Sequence, residues 1–342
     1  MKYLIALLLS FSWIDATENP QVVSERFVSP QLDNFDCHSS SIIATSQDKL
    51  CVVWKSQNVG IWASIFENGA WSAPEPIVSA PDSVCWSPVL TKRPNGELLL
   101  FYRLGSDPRH TISLMKRSSD EGAHWSDAEL LPAGIVGPTK TKPLFDEDGN
   151  MICGSSSETG SPDDERKATA CWIEILSKDG QWSKYGPLEI PGKRFGCIEP
   201  ALFLGKNGAL KLLCRDRSNR IGLEGWIWTA ESFDRGKTWS AMTKTSLPNP
   251  DSGVDAMAYR GDEIVLIYNH SHTNRYPLTL AISKDGGGSW TRVLDLESQS
   301  GEFPSITTDS EGLVHVTYAF MPEGKTERRI KHVTIDLHES LL

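Results

Sequence analysis

The sequence SSDEGAHW at residues 118–125 gives the first indication of the architecture, because its pattern recurs along the chain. The pattern S-x-D-x-G-x-x-W returns as SFDRGKTW at residues 232–239 and as SKDGGGSW at residues 283–290. A shortened copy lies at residues 177–182, and a more divergent copy lies at residues 67–71. The tryptophans that end the five copies are spaced by 54, 57, 57 and 51 residues, and so regular a spacing indicates an internal repeat.

Each residue type in this pattern has a physical reason to occur in a tight turn. The Asp carboxylate can accept hydrogen bonds from backbone N–H groups of its own turn, and Gly can adopt the positive φ that a tight hairpin needs. The Trp ring can fold back and cover the turn with a large apolar surface. We therefore predict that the aspartates of the repeat stabilise hairpins and take no part in catalysis; they are Asp120, Asp179, Asp234 and Asp285.

A second element, two short strands around a Gly-containing turn, lies between the tryptophan turns. In one copy, residues 87–90 lead through Asn95-Gly96 into residues 97–103, a run rich in leucine and aromatic residues. Five further copies begin at Ser39, Lys142, Glu199, Val254 and Phe303. Each repeat therefore contains four strands, A to D, and six such units predict an all-β, six-bladed β-propeller over residues 21–338.

The last repeat lacks an outer strand. Its third strand is predicted at residues 329–336, and few residues follow it. Residues 21–29 can supply the missing strand and close the ring, which leaves no sheet edge open to another chain. We expect the N-terminal strand to complete the sixth blade, and we expect no second domain.

The N-terminus has the features of an export signal. Lys2 precedes an apolar run at residues 3–9, so we expect residues 1–16 to be a signal peptide and the protein to be secreted or periplasmic. The net charge of −10 argues against binding to nucleic acid. No later apolar run is long enough for membrane insertion. The seven cysteines show no zinc-like spacing, so we expect no metal and no cofactor, and we expect a monomer.

These aspartate turns in a six-fold repeat resemble the Asp-box, or BNR, repeats of the sialidase (neuraminidase) superfamily. The resemblance spans roughly residues 24–338. The chain is similar to the bacterial sialidase-like group in LPNPDSGVD at residues 247–255, YNHS at 268–271, RYPL at 275–278 and RRIKH at 328–332. The resemblance implies a propeller that acts on an acidic glycan or glycoconjugate. Since the repeat occurs in propellers of many functions, activity has to be argued from the site.

Strand parity predicts where that site can lie. In a four-stranded antiparallel blade, the A–B and C–D turns share one face, and the longer B–C loops lie on the other. The B strands end on this second face at Lys55, Arg103, Ser156, Arg215, Asn269 and Ala319. The B–C loops add Glu158, Arg217, His270, Arg275, Arg328 and Arg329, and the starts of the A strands add His38, Lys142, Glu199, Asp255 and Glu302. We expect these groups to form a basic mouth that suits an anionic ligand.

The resemblance implies a carboxylate-binding role for three arginines. Sialidases hold the sugar carboxylate with such a triad, and the planar guanidinium can pair with it through two hydrogen bonds. The corresponding residues here are Arg215, Arg275 and Arg329. The other expected substrate-binding residues are Arg103, Lys142, Glu199, Asn269 and His38.

The resemblance also implies candidate catalytic groups. Sialidases use a Tyr activated by a Glu together with an Asp acid/base, whereas most glycosidases use two carboxylates. The candidate carboxylates are Glu158, Asp255 and Glu302, and the candidate phenols are Tyr268 and Tyr318. In the hydrolytic hypothesis, Asp255 or Glu158 protonates the leaving oxygen. Glu302 and a nearby Tyr then stabilise the positive charge on the sugar ring.

Three departures from the sialidase pattern leave alternatives open. Residues 26–30 match the first-blade Phe/Tyr-Arg-Ile-Pro motif poorly, and the loop at residues 55–60 has no carboxylate. Phe303, which cannot act as a nucleophile, stands where the related group often has Tyr. We expect a secreted, sialidase-like glycoside hydrolase that acts on a sialic acid or uronate glycan. The alternatives are a catalytically inactive propeller that binds a glycan, and a polysaccharide lyase that uses Tyr268 and His270.

Overall fold

The chain folds into six antiparallel sheets that form the blades of a β-propeller, so the predicted all-β fold is confirmed. The computed structural model describes residues 20–28, 36–46, 48–56, 59–159, 168–192, 196–218 and 222–337. The predicted signal peptide at residues 1–16 lies outside them. Among the described residues, no helix has the length and apolar character needed to cross a membrane.

The strands follow one another blade by blade, after an N-terminal strand, β1 (Gln21–Phe27), that belongs to the last blade. Blade 1 contains β2 (Cys37–Ser46), β3 (Lys49–Ser56), β4 (Gly60–Glu67), β5 (Ala70–Trp71) and β6 (Glu75–Ser79). Blade 2 contains β7 (Cys85–Lys92), β8 (Leu98–Asp107), β9 (His110–Ser118) and β10 (Glu129–Leu130). Blade 3 contains β11 (Leu144–Phe145), β12 (Met151–Thr159), β13 (Ala168–Leu176) and β14 (Trp182–Leu188).

The second half of the ring repeats this order. Blade 4 contains β15 (Cys197–Leu204), a 3₁₀ turn (Lys206–Gly208), β16 (Leu210–Asp216), β17 (Trp226–Ser232) and β18 (Thr243–Pro248). Blade 5 contains β19 (Asp255–Ala258), β20 (Ile264–Asn269), β21 (Leu278–Ser283) and β22 (Thr291–Glu297). Blade 6 contains β23 (Gly301–Thr308), β24 (Val314–Phe320) and β25 (Arg329–Asp336).

The N-terminal strand closes the ring. β1 runs antiparallel to β25, with Gln21 opposite Asp336 and Phe27 opposite Lys331. The sheet of blade 6 therefore has the order β1-β25-β24-β23, and the first strand of the chain is its outermost strand, as the sequence predicted.

Apolar side chains fill the interfaces between blades. The buried residues form six clusters, and each cluster joins two neighbouring blades. In one of them, Ile152 and Ile173 of blade 3 pack against Leu202 and Leu212 of blade 4. The seven cysteines are buried free thiols. Removing apolar surface from water between the blades is therefore a main source of stability.

The tryptophan turn at residues 232–239 shows the hydrogen bonds that its sequence predicts. The Asp234 carboxylate accepts bonds from the Thr238 hydroxyl (2.6 Å), Thr238 N (2.8 Å) and Lys237 N (3.1 Å). These bonds, that of the Thr238 hydroxyl above all, lower the pKa of Asp234 to about 2. The carboxylates of Asp120 and Asp285 accept equivalent bonds. Among the described residues, Asp179 accepts none.

In three of the tryptophan turns, the glycine lets the turn pack against the preceding blade. Gly287 has a φ of +86°, and a Cβ added there would lie 2.7 Å from the Phe203 ring of blade 4. A Cβ at Gly236 would lie 3.1 Å from Ile173 of blade 3, and one at Gly122 would lie 3.2 Å from Cys51 of blade 1. Glycine is therefore needed both for the backbone conformation and for the close approach of two blades.

The A strands share an unusual backbone feature at the end of the axis where the B–C loops lie. The equivalent residues of five blades have positive φ although none is a glycine; they are Ser39, Ser87, Lys140, Glu199 and Phe303. At four of these positions the pairing with strand B also shifts register. We call these five residues, together with the equivalent Gly253 of blade 5, the axial ring. Such backbone strain occurs most often at functional sites.

The axial ring corrects the sequence alignment of blade 3. The sequence pattern predicted Lys142 as the equivalent of Ser87. When the blades are aligned on their A–B turns, at residues 146–150 in blade 3, Lys140 is the equivalent residue, and Lys140 has the positive φ. The side chains of Lys140, Glu199 and Phe303 all lie next to Gly253. The bulged A strands therefore bring side chains of different blades together at the axis.

Candidate functional site

A cavity of about 330 Å³ opens at the end of the axis where the A strands begin and the B–C loops lie. We call it the axial pocket. Its lining consists of His38, Ser39, Lys55, Trp86, Ser87, Arg103, Asp107, Pro108, Glu158, Glu199, Arg215, Arg217, Arg275 and Phe303. None of the turn aspartates lines it, so the pocket lies on the face that strand parity favours.

Arg215 sits at the end of β16 in a buried ion-pair network. Its Nη2 lies 2.9 Å from Glu199 Oε1, and its Nη1 lies 3.1 Å from Asp251 Oδ1. The guanidinium lies 5.4 Å from the centre of the Phe303 ring. Two buried polar atoms of this network, Glu199 Oε2 and Arg215 Nε, have no hydrogen-bond partner among the described residues. Buried polar atoms are rarely left in this state, and at a cavity they indicate a place for a ligand.

Arg275 forms a second network around Glu302. Its Nη1 lies 2.9 Å from Glu302 Oε2, and its guanidinium is also 5.4 Å from the centre of the Phe303 ring. His38 Nε2 and Arg328 Nε lie 3.5 Å and 3.7 Å from the same carboxylate oxygen. Burial raises the pKa of Glu302, but the hydrogen bond from His38 and the charges of Arg275 and Arg328 outweigh it and lower the pKa to about 2. Glu302 is therefore a carboxylate at neutral pH.

Two cations of the axial pocket lie outside the ion pairs that the described residues form. Lys55 Nζ lies 4.5 Å from the centre of the Trp86 ring, and Arg103 Nη2 donates to Ser87 Oγ at 3.3 Å. Neither forms an ion pair with a carboxylate among the described residues, and Arg103 Nε is buried without an acceptor. Burial lowers the pKa of both side chains. These two residues are the best available groups for binding an anion.

Glu158 lies at the edge of the axial pocket, near the end of β12. Its Oε2 is 2.9 Å from Arg217 Nη1, and its side chain is 14% exposed. Arg217 Nε in turn lies 3.7 Å from Asp251 Oδ2. Glu158, Glu199 and Glu302 thus each contact an arginine, and Glu158 lies in β12, opposite Thr169 of β13.

Lys142 and Asp255, both expected at the mouth, lie beneath the axial pocket and do not line it. Lys142 Nζ is 2.7 Å from Asp255 Oδ2 and 3.0 Å from Ser305 Oγ. Asp255 also accepts a bond from Ile306 N at 3.0 Å. Lys140 Nζ donates to Val254 O, and burial lowers the pKa of Lys140 to about 8. These contacts join blade 3 to blades 5 and 6 across the axis, which explains the buried position of Asp255.

The structure does not bring the two candidate phenols or Asn269 to the axial pocket. Tyr318 is buried between blades 5 and 6. Tyr268 is buried between blades 4 and 5, and its hydroxyl is hydrogen-bonded to His270 Nδ1 at 2.6 Å. Asn269 is fully buried and donates to Gly301 O. No tyrosine is found among the described residues of the lining, because these side chains point between blades.

The third expected arginine is displaced by one residue. Arg329 begins β25, and its guanidinium lies 5.6 Å from the centre of the Phe27 ring on the outer strand. Its neighbour Arg328 faces the mouth, with Nη1 2.8 Å from Asp36 Oδ2 and Nε 3.7 Å from Glu302 Oε2. Consecutive residues of an extended chain point to opposite sides. Arg328 therefore occupies the place that was expected for Arg329.

The sequence alone did not single out Asp251. Its carbonyl oxygen accepts bonds from Arg215 Nη1 and from Arg275 Nη2 at 3.0 Å, and its carboxylate pairs with Arg215. Asp251 has a φ of 55°, which is unusual for a residue other than glycine. Asp251 lies in the LPNPDSGVD stretch at residues 247–255, which carries the resemblance to the sialidase-like group. Its place in that stretch is the sequence feature that could have identified it.

The chain shares a sequence family and a fold with known proteins. A family model described as a BNR repeat-like domain matches residues 55–316. No curated protein sequence matches the chain. Among solved structures, a protein of unknown function from Dyadobacter fermentans has a TM-score of 0.74 at 15% identity, over 94% of this chain and 100% of that one.

Two glycoside hydrolases have the same fold. The NanB sialidase of Streptococcus pneumoniae has a TM-score of 0.68 at 12% identity, over 93% of this chain and 70% of the sialidase. The α-L-arabinanase of Penicillium chrysogenum has a TM-score of 0.68 at 17% identity, over 93% of this chain and 99% of the arabinanase. At such low identities the similarity establishes the fold, and the chemistry has to come from the axial pocket.

Proposed function

We propose that this chain, which belongs to the BNR repeat-like domain family, is a glycoside hydrolase that removes a carboxylate-bearing sugar, a sialic acid or a uronate, from the end of a glycan. A sialidase and an arabinanase are among the solved structures with this fold, which supports a carbohydrate as the ligand. The size of the axial pocket, about 330 Å³, is in the range of small-molecule sites.

The pair of unpartnered cations, Lys55 and Arg103, is the observation that carries this proposal. The other cations of the pocket lining have acidic partners, as in the ion pairs of Arg215 and Arg275. Burying a cation without a counter-charge is unfavourable, and a bound carboxylate removes that cost. Arg103 Nε has no acceptor among the described residues, so the guanidinium can donate to both oxygens of a ligand carboxylate.

Two carboxylates near the pocket suit the roles that hydrolysis needs. One group has to protonate the leaving oxygen, and another has to stabilise positive charge on the sugar ring. Glu158 suits the first role because it lies at the pocket edge and is partly exposed. Glu302 suits the second role because its pKa of about 2 keeps it ionised. The proposed reaction therefore uses two carboxylates, and the Phe303 ring offers an apolar surface for the sugar.

A substrate screen with matched variants tests this function. Purified protein is incubated with sialosides and uronides, and released sugar is measured. We expect Lys55→Met and Arg103→Met each to lower kcat/KM on the acidic substrate about 100-fold, the effect of losing one charged hydrogen bond in a dry site. Arg235→Met, which removes an exposed arginine from a tryptophan turn, is the control. If both pocket variants keep full activity, the anion-binding role is wrong.

Binding of an acidic glycan without turnover is a second candidate. The observation that favours it is that Glu158, Glu199 and Glu302 each already pair with an arginine. Calorimetric binding of an acidic oligosaccharide, with no product after long incubation, selects this candidate. An unsaturated product that absorbs ultraviolet light selects a lyase, although the Tyr268–His270 pair lies outside the pocket lining.

A further inference from the structure

A second cavity, of about 400 Å³, lies beside the axial pocket between blades 2 and 3. We call it the side cleft. Part of its lining comes from β9, and another part, the cleft wall, comes from residues 130–136. Arg103, Pro108 and Glu158 line both cavities, so the side cleft continues directly from the axial pocket.

The side cleft exposes apolar side chains to solvent. Ile112 is 54% exposed and Leu130 is 68% exposed, and large apolar side chains with such exposure are few among the described residues. Thr111, Ser113 and Ser157 add hydroxyl groups to the same lining. A mixture of apolar surface and hydroxyl groups suits a sugar, whose C–H faces pack on apolar side chains while its hydroxyls form hydrogen bonds.

The cleft wall is held in one shape by a buried charge. The Glu174 carboxylate, which is fully buried, accepts bonds from Val136 N (3.1 Å) and from Gly137 N (2.7 Å). Lys184 Nζ lies 2.9 Å from Glu174 and donates to Gly134 O at 2.8 Å. Burying a carboxylate is costly unless it is fully paired, and here the pairing fixes a surface loop. The side cleft is thus preformed, which lowers the entropic cost of binding a ligand.

We propose that the side cleft binds the sugar that follows the one in the axial pocket, so that the substrate is an oligosaccharide or a polysaccharide. This inference rests on the proposed function. Glu158 lies where the two cavities meet, and a proton donor has to reach the oxygen that joins two sugars. When the terminal sugar occupies the axial pocket, the next sugar falls in the side cleft.

Dependence on chain length tests the proposal. The two substrates are the methyl glycoside of the terminal sugar that the screen selects and a tetrasaccharide that ends in the same sugar and linkage. We expect kcat/KM about tenfold higher for the tetrasaccharide, and the double variant Ile112→Ser/Leu130→Ser loses this advantage while it turns over the methyl glycoside normally. Leu204→Ser, which truncates a leucine that is 55% exposed on the opposite face, is the control.

Glu174→Gln tests the role of the cleft wall separately. Since Glu174 is a positioning residue, we expect Glu174→Gln to raise the KM for the tetrasaccharide and to leave kcat on the methyl glycoside unchanged. A similar loss on both substrates means that Glu174 only supports the fold, and this outcome overturns the preformed wall.

The outcomes separate the side cleft from the proposed function. Equal turnover of both substrates by the unchanged protein, or a tetrasaccharide preference that survives the double variant, overturns the side cleft and leaves hydrolysis intact. If neither substrate is cleaved, hydrolysis fails, and calorimetric titration with the same two compounds decides the side cleft. Tighter binding of the tetrasaccharide that the double variant abolishes supports it, and equal or absent binding overturns it.

Discussion

Acidic side chains occur on both faces of the propeller, but their surroundings differ. On the turn face, Asp234 is exposed, and its hydrogen bonds come from Ser232, Lys237 and Thr238 of its own turn. At the mouth, Glu199 is buried and pairs with Arg215 on the neighbouring strand, and its Oε2 has no hydrogen-bond partner among the described residues. The turn carboxylates complete a local structure, whereas the mouth carboxylates belong to a network that is open to a ligand.

This difference teaches that residue type alone does not separate stability from function. A carboxylate whose hydrogen bonds are all local contributes to the stability of the turn that contains it. A carboxylate at the mouth is held by arginines from other strands, so its position depends on the assembled ring. Substitutions on the turn face should therefore lower the free energy of unfolding and leave turnover unchanged. Substitutions at the mouth should mainly lower turnover.

The largest expected effect comes from removing the proposed proton donor. Glu158→Gln keeps the shape of the side chain, and we expect turnover to fall about 1,000-fold, in the range for loss of general acid catalysis. Asp234→Asn, on the turn face, should leave turnover unchanged and lower the thermal midpoint. The measurements are initial rates and thermal unfolding of both variants. If Glu158→Gln keeps most of its activity, Glu158 is not the proton donor, and another group of the axial pocket has to fill that role.

The next largest effect concerns the packing of the turns on the blades. Gly287 and Gly180 both have a φ of +86°, but a Cβ at Gly287 would lie 2.7 Å from Phe203, whereas a Cβ at Gly180 would meet nothing within 4 Å. We expect Gly287→Ala to lower the free energy of unfolding by about 3 kcal/mol and Gly180→Ala by about 1 kcal/mol, since only the first adds overpacking to backbone strain. Urea unfolding measures both values, and Phe203→Leu should partly rescue Gly287→Ala. Equal losses would show that the conformation, and not the docking of blades, requires the glycine.

Much of the fold could be predicted from sequence because its signals are local. The Asp, Gly and Trp of a tryptophan turn are within eight residues of one another, and they form the turn with little help from the rest of the chain. The A–B turns are equally local, and they fix the alignment of the B strands. The A strand of blade 3 was misaligned because Lys142-Pro143 resembles Ser87-Pro88, whereas the A–B turn places Lys140 opposite Ser87 in the repeat.

The site was less predictable because it depends on contacts between distant segments. Arg328 and Arg329 are adjacent, and only the direction of the side chain in the folded strand decides which one faces Glu302. The ion pair of Arg215 with Asp251 joins the end of β16 to the loop between β18 and β19, and the sequence separates the two residues by 36 positions. For the same reason, the sequence could place Lys55 at the mouth and could not indicate that it lacks a carboxylate partner.

Buried and exposed histidines also differ in their expected effect on stability, and this effect is smaller than that of Gly287→Ala. His332 is buried between blades, and burial, followed by the charges of His315 and Arg26, lowers its pKa to about 3. Below pH 6.5 the unfolded chain binds a proton that the folded protein does not, so the free energy of unfolding falls as the pH decreases towards 3. Between pH 6.5 and pH 5 we expect a loss of about 2 kcal/mol.

Unfolding measured across this pH range with two variants tests the assignment. His332→Leu removes the buried group and should make the pH dependence shallower, while His315 and His38, whose pKa values burial also lowers, keep their share of it. His124→Leu, which removes an exposed histidine of a tryptophan turn, should not change it. A pH profile for His332→Leu that is parallel to that of the unchanged protein would contradict the assignment.

The smallest expected effect concerns the contribution of the tryptophans to the stability of the turns. Trp239 Nε1 donates to Gly236 O at 2.9 Å, whereas among the described residues the indole N–H of Trp290 has no acceptor. Phenylalanine keeps an aromatic ring and loses the N–H, so Trp239→Phe should lower the free energy of unfolding by about 1 kcal/mol, and Trp290→Phe by clearly less. Parallel urea titrations measure the difference, and turnover should be unchanged in both variants. Equal losses would mean that burial of the aromatic ring, and not the indole hydrogen bond, accounts for what the tryptophan contributes to the turn.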